Sequence, residues 1–98
     1  MSNYILSPAA QADIDEIWDY TADNSSTDQA DRYIAQIKQA CSSISFKHRH
    51  GRDIATIRKG YRKLSIGSHI IVFRIVDSKA DIVRILHQRM DIESRLKD

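Results

Sequence analysis

The sequence predicts an α+β domain: a short N-terminal strand, an antiparallel helix hairpin, and an antiparallel β-meander on which the hairpin packs. Three observations predict it. Apolar residues recur at helical spacing up to Ile44. They alternate or run continuously in strand-length segments after Tyr61. Between these regions lies a basic loop without periodicity. A chain of 98 residues supports one domain, taken as 1–98.

Asn3-Tyr4-Ile5-Leu6 opens as a strand. Ser7-Pro8 then starts a helix, because a serine oxygen can accept from orphan backbone N–H groups and proline has no N–H to lose. Ala10, Ile14, Ile17, Trp18 and Thr21 form its apolar stripe. Asp13, Asp15, Glu16 and Asp19 lie mostly off that stripe, where acids suit the positive end of the helix dipole. Asp23-Asn24-Ser25 breaks the pattern. Ser26-Thr27-Asp28-Gln29 matches a capping box. A second stripe follows: Ala30, Tyr33, Ile34, Ile37, Ala40, Cys41 and Ile44. Cys41 on that stripe reads as a small core residue, and Trp18 as a core residue whose indole N–H needs a partner. The short link makes the helices an antiparallel hairpin.

Residues 46–53 read as a loop containing Lys47-His48-Arg49-His50-Gly51-Arg52. Strands are expected over 61–66, 69–76 and 82–89, joined by a two-residue turn at Gly67-Ser68 and a longer one over 77–81. The stretch from about 91 to 98 reads as a helical turn or a mobile tail. The first turn sets Ile66 against His69, Leu64 against Ile71 and Arg62 against Phe73. The second sets Val76 against Ile82, Arg74 against Arg84 and Val72 against Leu86. Alternation then places Leu64, Ile66, Ile71, Phe73, Ile75, Val83 and Ile85 toward the helices. The opposite face holds Tyr61, Lys63, Ile70, Val72, Arg74, Val76, Arg84, Leu86 and Gln88.

That opposite face is too apolar for a solvated surface and too basic for a core. It also sets two arginines against each other, which costs stability. Two readings fit. The arginines snorkel from a half-exposed sheet, or from a strand displaced by one residue. Alternatively, an acidic amphipathic partner lies across the face and Arg74 and Arg84 grip its carboxylates. Charge favours attention to this half. The first 45 residues carry two basic against seven acidic residues, the remainder thirteen against six, behind a net charge of only +2.

Several chemistries are disfavoured. A single cysteine excludes an internal disulfide framework and a Cys-rich zinc site. No metal site is expected, because Arg49 between His48 and His50 opposes a cation and no carboxylate cluster accompanies them. No run approaches the ~18 apolar residues of a membrane span, and no signal opens the chain, so a cytoplasmic location without membrane contact is expected. General acid–base cleavage of RNA would use His87 as base with Arg62, Arg74, Arg84 or Arg89 on phosphate. Against it, His87 falls in the helix-facing row, and no aromatic ladder accompanies the basic residues.

Leu6-Ser7-Pro8-Ala9-Ala10 followed by Asp13-Ile14-Asp15-Glu16-Ile17-Trp18-Asp19-Tyr20 resembles the opening of the ParE toxins of bacterial type II toxin–antitoxin systems. Ala30-Asp31-Arg32-Tyr33-Ile34 resembles that family's second helix. Residues 57–64, Gly67-Ser68-His69-Ile70-Ile71 and 82–91 resemble its strands. The resemblance spans about residues 4–92 and implies a RelE/ParE-like α+β fold. It implies a cognate antitoxin, ParD-like or another DNA-binding type, forming a hetero-oligomer that reaches operator DNA only through the antitoxin. On the basic-apolar face this assigns Tyr61, Lys63, Ile70, Val72, Arg74, Arg84 and Leu86 to the antitoxin. It also implies inhibition of DNA gyrase, at its A subunit, by binding rather than catalysis and without a cofactor. Arg49, Arg52, Arg58, Lys59 and Arg95 are the candidates for target contact. Two alternatives stand beside it. One is a RelE-type ribosome-dependent mRNA endonuclease using His87, Arg62 and Arg89, although no tyrosine follows His87 as in many such relatives. The other is a non-toxic antitoxin-binding relative.

Overall fold

The computed structural model describes residues 4–46 and 51–96. In chain order they form β1 (Tyr4–Leu6), α1 (Pro8–Asn24), α2 (Thr27–Phe46), β2 (Arg52–Asp53), β3 (Arg62–Ile66), β4 (His69–Val76), β5 (Lys79–His87) and α3 (Ile92–Arg95). The strands make one mixed sheet in the order β1-β5-β4-β3-β2, with β1 parallel to β5 and the other pairs antiparallel. The α+β architecture is the expected one. The parallel docking of β1 and the two-residue β2 are additions to it.

Both helices begin as their capping residues require. The Ser7 oxygen accepts from the Ala10 N–H at 3.0 Å, and Pro8 stands at the first helical position. The Ser26 oxygen accepts from the Gln29 N–H at 3.0 Å. No acid falls in the first turn of α1, so the expected dipole role is unfilled there. The hairpin's apolar stripes pack on the sheet through Ile14, Ile17, Ile34, Ile37, Cys41 and Ile44. Ile71, Phe73, Ile82 and Ile85 meet them from β4 and β5. Cys41 is fully buried, and burial pushes its thiol up to about 12, so it remains a neutral core group. The Trp18 indole N–H donates to Asp31 Oδ1 at 2.9 Å, tying the two helices together.

The β3–β4 register is the predicted one, from Ile66 opposite His69 to Arg62 opposite Phe73. The β4–β5 register is corrected. The turn between these strands is Asp77-Ser78 alone, with both residues at positive φ (50° and 66°), the pattern of a type I′ hairpin. Lys79 therefore faces Val76, Asp81 faces Arg74 and Ile82 faces Phe73. The register then shifts between Val72 and Phe73, so Val72 faces Arg84 and Val83 is the extra residue of a bulge. As a result Ile82, not Val83, enters the main core, and Val83 packs on the other side. Arg74 and Arg84 are not opposed. The like-charge clash expected from the sequence does not exist.

That other face has a small core of its own. Tyr61, Ile70, Val72 and Leu86 are buried with Ile54 and with Leu96, and Ile92 packs against them. Ile92–Arg95 thus form a short helix laid on the sheet. Asp91 caps it by accepting from the Glu93 N–H at 3.1 Å.

Candidate functional site

Because β1 is only three residues long, it leaves the outer edge of β5 without a strand beyond Ile82. A sheet edge with unmet backbone groups must be covered or satisfied. Side chains from the start of the hairpin do this. The Ser7 hydroxyl donates to the Val83 carbonyl at 2.7 Å. Asp13 accepts the Ile85 N–H at 2.9 Å, and the same carboxylate takes both Nε and Nη2 of Arg84 at 2.8 and 2.9 Å. Asp13 is buried at 8% exposure, and the arrangement satisfies its oxygens three times over. The hydrogen bond to Asp13 holds the Arg84 guanidinium above its ordinary range, against the cost of burial.

Beyond this bridge, hairpin and sheet diverge into a groove of about 790 Å³. The α1 side contributes Glu16, Ile17 and Tyr20, and α2 contributes Tyr33. The sheet side contributes His69 and His87, with Met90 at the rim. Tyr20 and Met90 are 71% and 40% exposed, large apolar groups on the same concavity. Exposed apolar surface gathered in a groove marks a docking site more than a solvated surface.

The groove floor is polar and ordered. His69 and His87 are directly opposite on β4 and β5, their rings edge to face with centroids 5.3 Å apart. The Tyr33 hydroxyl lies 2.6 Å from His69 Nδ1, accepts the Ser68 N–H at 3.1 Å and is 3.3 Å from the Ile66 carbonyl. Burial, and then the neighbouring His87, hold the His69 imidazole below its ordinary range, while Asp13 pulls the other way. Burial pushes the Tyr33 phenol up, and the Ser68 N–H partly offsets this. His87 Nδ1 accepts the Arg89 N–H at 3.2 Å. Among the described residues there is no cluster of three or more potential metal ligands. No helix among them is long and apolar enough to cross a membrane.

The residues singled out from the sequence are dispersed. Ile70, Val72, Leu86 and Tyr61 lie beneath Ile54 and the C-terminal helix. Arg84 turns to Asp13 on the helix side, away from Arg74. Arg74 pairs with Asp81 at 2.8 Å and lies 5.9 Å over the Tyr61 ring, leaving Lys63 as its half-buried neighbour on that face. Arg58 sits over the same ring at 5.3 Å and donates to the Leu96 carbonyl at 2.8 Å. This joins the connection carrying Arg58 and Lys59 to the short helix carrying exposed Arg95. Arg52 is exposed in β2. Arg49, with His48 and His50, lies outside the described residues. The nuclease set does not converge. Arg62 donates to the Gly51 carbonyl at 2.8 Å and faces Phe73, four positions along β4 from the residue facing His87. That is about 13 Å at the rise of a strand.

Sequence reasoning missed Asp13, Tyr33 and His69. The two histidines would have been paired by the right register, for which the signal was the Asp77-Ser78 turn.

Helix hairpin and five-stranded sheet define a small α+β domain with a groove between them. The family model for the ParE toxin of type II toxin–antitoxin systems, parDE, matches residues 4–92. The chain is 47% identical over 96 residues to Toxin ParE1 of Mycobacterium tuberculosis, covering 97% of this chain and 98% of that one. It is 33% identical over 96 residues to Toxin ParE1 of Caulobacter vibrioides, covering 98% and 99%. A solved structure described as a chromosomal ParDE system from P. aeruginosa shares the fold, with a TM-score of 0.74 at 21% identity over 89% of this chain and 96% of that one. The chain belongs to the ParE toxin family.

Proposed function

We propose that this chain arrests growth by binding DNA gyrase at its A subunit, and that a cognate antitoxin silences it by occupying the groove between hairpin and sheet. One observation carries the antitoxin half of this reading: the 790 Å³ groove with Tyr20 and Met90 exposed on its walls. An amphipathic helix that lays its apolar face there buries both side chains. A ParD-like antitoxin, or another with a DNA-binding domain, would bring the hetero-oligomer to operator DNA. Its acidic remainder fits basic residues accessible on the other face of the sheet, among them Lys63 and Arg74. Tyr61, Ile70, Val72 and Leu86 then form the base on which that contact rests, and Arg84 supports the groove through Asp13. The gyrase half rests on family membership and on the basic surface formed by Arg52, Arg58, Lys59 and Arg95. Action in the cytoplasm, by binding rather than catalysis, goes with both halves.

The test is affinity for the antitoxin encoded in the adjacent reading frame. The double variant Tyr20→Ser/Met90→Ser is expected to bind about 10- to 100-fold more weakly than the native chain, as truncation of buried interface anchors does. Unchanged affinity would move the antitoxin out of the groove.

A further inference from the structure

Most of the groove is explained by an apolar occupant, but its floor is not. Tyr33 and His69 are hydrogen-bonded and His87 meets His69 edge to face, a polar cluster where a hydrocarbon surface would serve such an occupant better. We propose that the histidine pair makes occupancy of the groove proton-linked: the apolar face of a partner helix is held while both imidazoles are neutral and released as they charge. This rests on the reading that the groove is the antitoxin's seat.

Two features of geometry support it. The Tyr33 hydroxyl can serve either protonation state of His69 without moving. When His69 is neutral with its proton on Nε2, the hydroxyl donates to Nδ1, 2.6 Å away. When His69 is a cation, Nδ1–H donates to the tyrosine oxygen, and the hydroxyl proton turns to the Ile66 carbonyl at 3.3 Å. His69 is therefore built to titrate in place. His87 is not. Its Nδ1 accepts the Arg89 N–H at 3.2 Å, and an imidazolium has no lone pair to accept with. Charging His87 sets two N–H groups against each other and loosens the turn that carries Met90 to the groove rim. It also places a cation beside His69, 5.3 Å away between ring centroids.

The charged and titratable groups around the pair do not cancel this. From α1 come Asp13, Glu16 and Tyr20. Asp13 is bound on both oxygens by Arg84 of β5, and Glu16 is exposed to solvent. From α2 comes Tyr33, a neutral phenol. After β5 comes Arg89, another cation. A helix seated in the groove removes water from both rings, which favours their neutral forms. The sign follows. The His69 imidazole, already held below its ordinary range by burial, is harder still to protonate in the complex. Affinity is therefore full at neutral pH and is lost as pH falls through the free-state pKa of His69 toward its bound-state value.

The experiment measures affinity for the purified antitoxin from about pH 7.5 to about pH 5.5, where imidazoles titrate. The native chain is expected to weaken several-fold across this range, the full tenfold per pKa unit of linkage being reached only below the bound-state value. The double variant His69→Asn/His87→Asn keeps a hydrogen-bond acceptor near each Nδ1 position but cannot titrate. It is expected to bind at neutral pH and to lose most of the pH dependence. A native profile that is flat or rises on acidification overturns the proposal. So does an equal loss in the double variant, which would place the titrating groups elsewhere. The variant Tyr20→Ser/Met90→Ser separates the two readings. If it binds as tightly as the native chain at neutral pH, the groove is not the seat and both fall. If it weakens while the native pH profile is flat, only the proton linkage falls.

Discussion

At the scale of single residues, Asp13 holds the open edge of β5 to the helix hairpin. One carboxylate satisfies a guanidinium and a backbone N–H that sheet geometry would otherwise leave unmet. Removing it strands both groups at a partly buried site. Asp13→Ala is expected to destabilise the chain by about 2–3 kcal/mol, somewhat below the cost of breaking a fully buried pair, because Arg84 keeps 24% of its side chain exposed. Chemical denaturation at neutral pH measures this. The paired replacement Asp13→Leu/Arg84→Met is expected to recover only part of the loss, since it removes the stranded charge but leaves the buried Ile85 N–H unmet. A single variant as stable as the native chain would mean that water satisfies the edge instead. No sequence signal announces this contact: the partners are 71 positions apart, and a charge on a helix flank ordinarily faces solvent.

At the scale of elements, turns decided what was legible. The β3–β4 hairpin could be read residue by residue because Gly67 supplies a positive φ (55°) at the first turn position. The same glycine matters to packing, since a Cβ there would lie 2.7 Å from the Tyr33 ring. Gly67→Ala is therefore expected to cost about 2 kcal/mol or more in thermal or chemical denaturation, combining backbone strain with displacement of Tyr33. A cost near zero would show that Tyr33 does not clamp the turn. The β4–β5 hairpin was misread because its left-handed turn residues are Asp77 and Ser78, with no glycine to mark them. The expected register erred by three positions near the turn and by two beyond the bulge. An odd slip exchanges faces and an even one does not. Hence Val83 and Ile82 were exchanged, while Ile71, Phe73 and Ile85 were placed correctly. The helices were easier, because their stripes and caps are local. The short helix after Asp91 was ambiguous, because four residues carry little periodicity of their own and are held by Leu96 and Ile92 against β4 and β5.

At the scale of the whole molecule, a near-neutral chain divides into an acidic hairpin and a basic sheet with its connections. The groove lies where the two meet, and the basic surface around Arg58, Lys59 and Arg95 lies apart from it. Under the proposed function, such a separation would let one surface engage gyrase while another receives the antitoxin. Substitution of Tyr20 and Met90 should then spare the action on gyrase and remove only its control. Gyrase supercoiling of relaxed plasmid tests the central claim most directly, measured with the purified chain alone and then with the adjacent-frame antitoxin added. The chain is expected to stop supercoiling, the antitoxin to restore it, and the Tyr20→Ser/Met90→Ser variant to inhibit equally but resist rescue at antitoxin concentrations that silence the native chain. Undiminished supercoiling in the presence of a chain that arrests growth would contradict this.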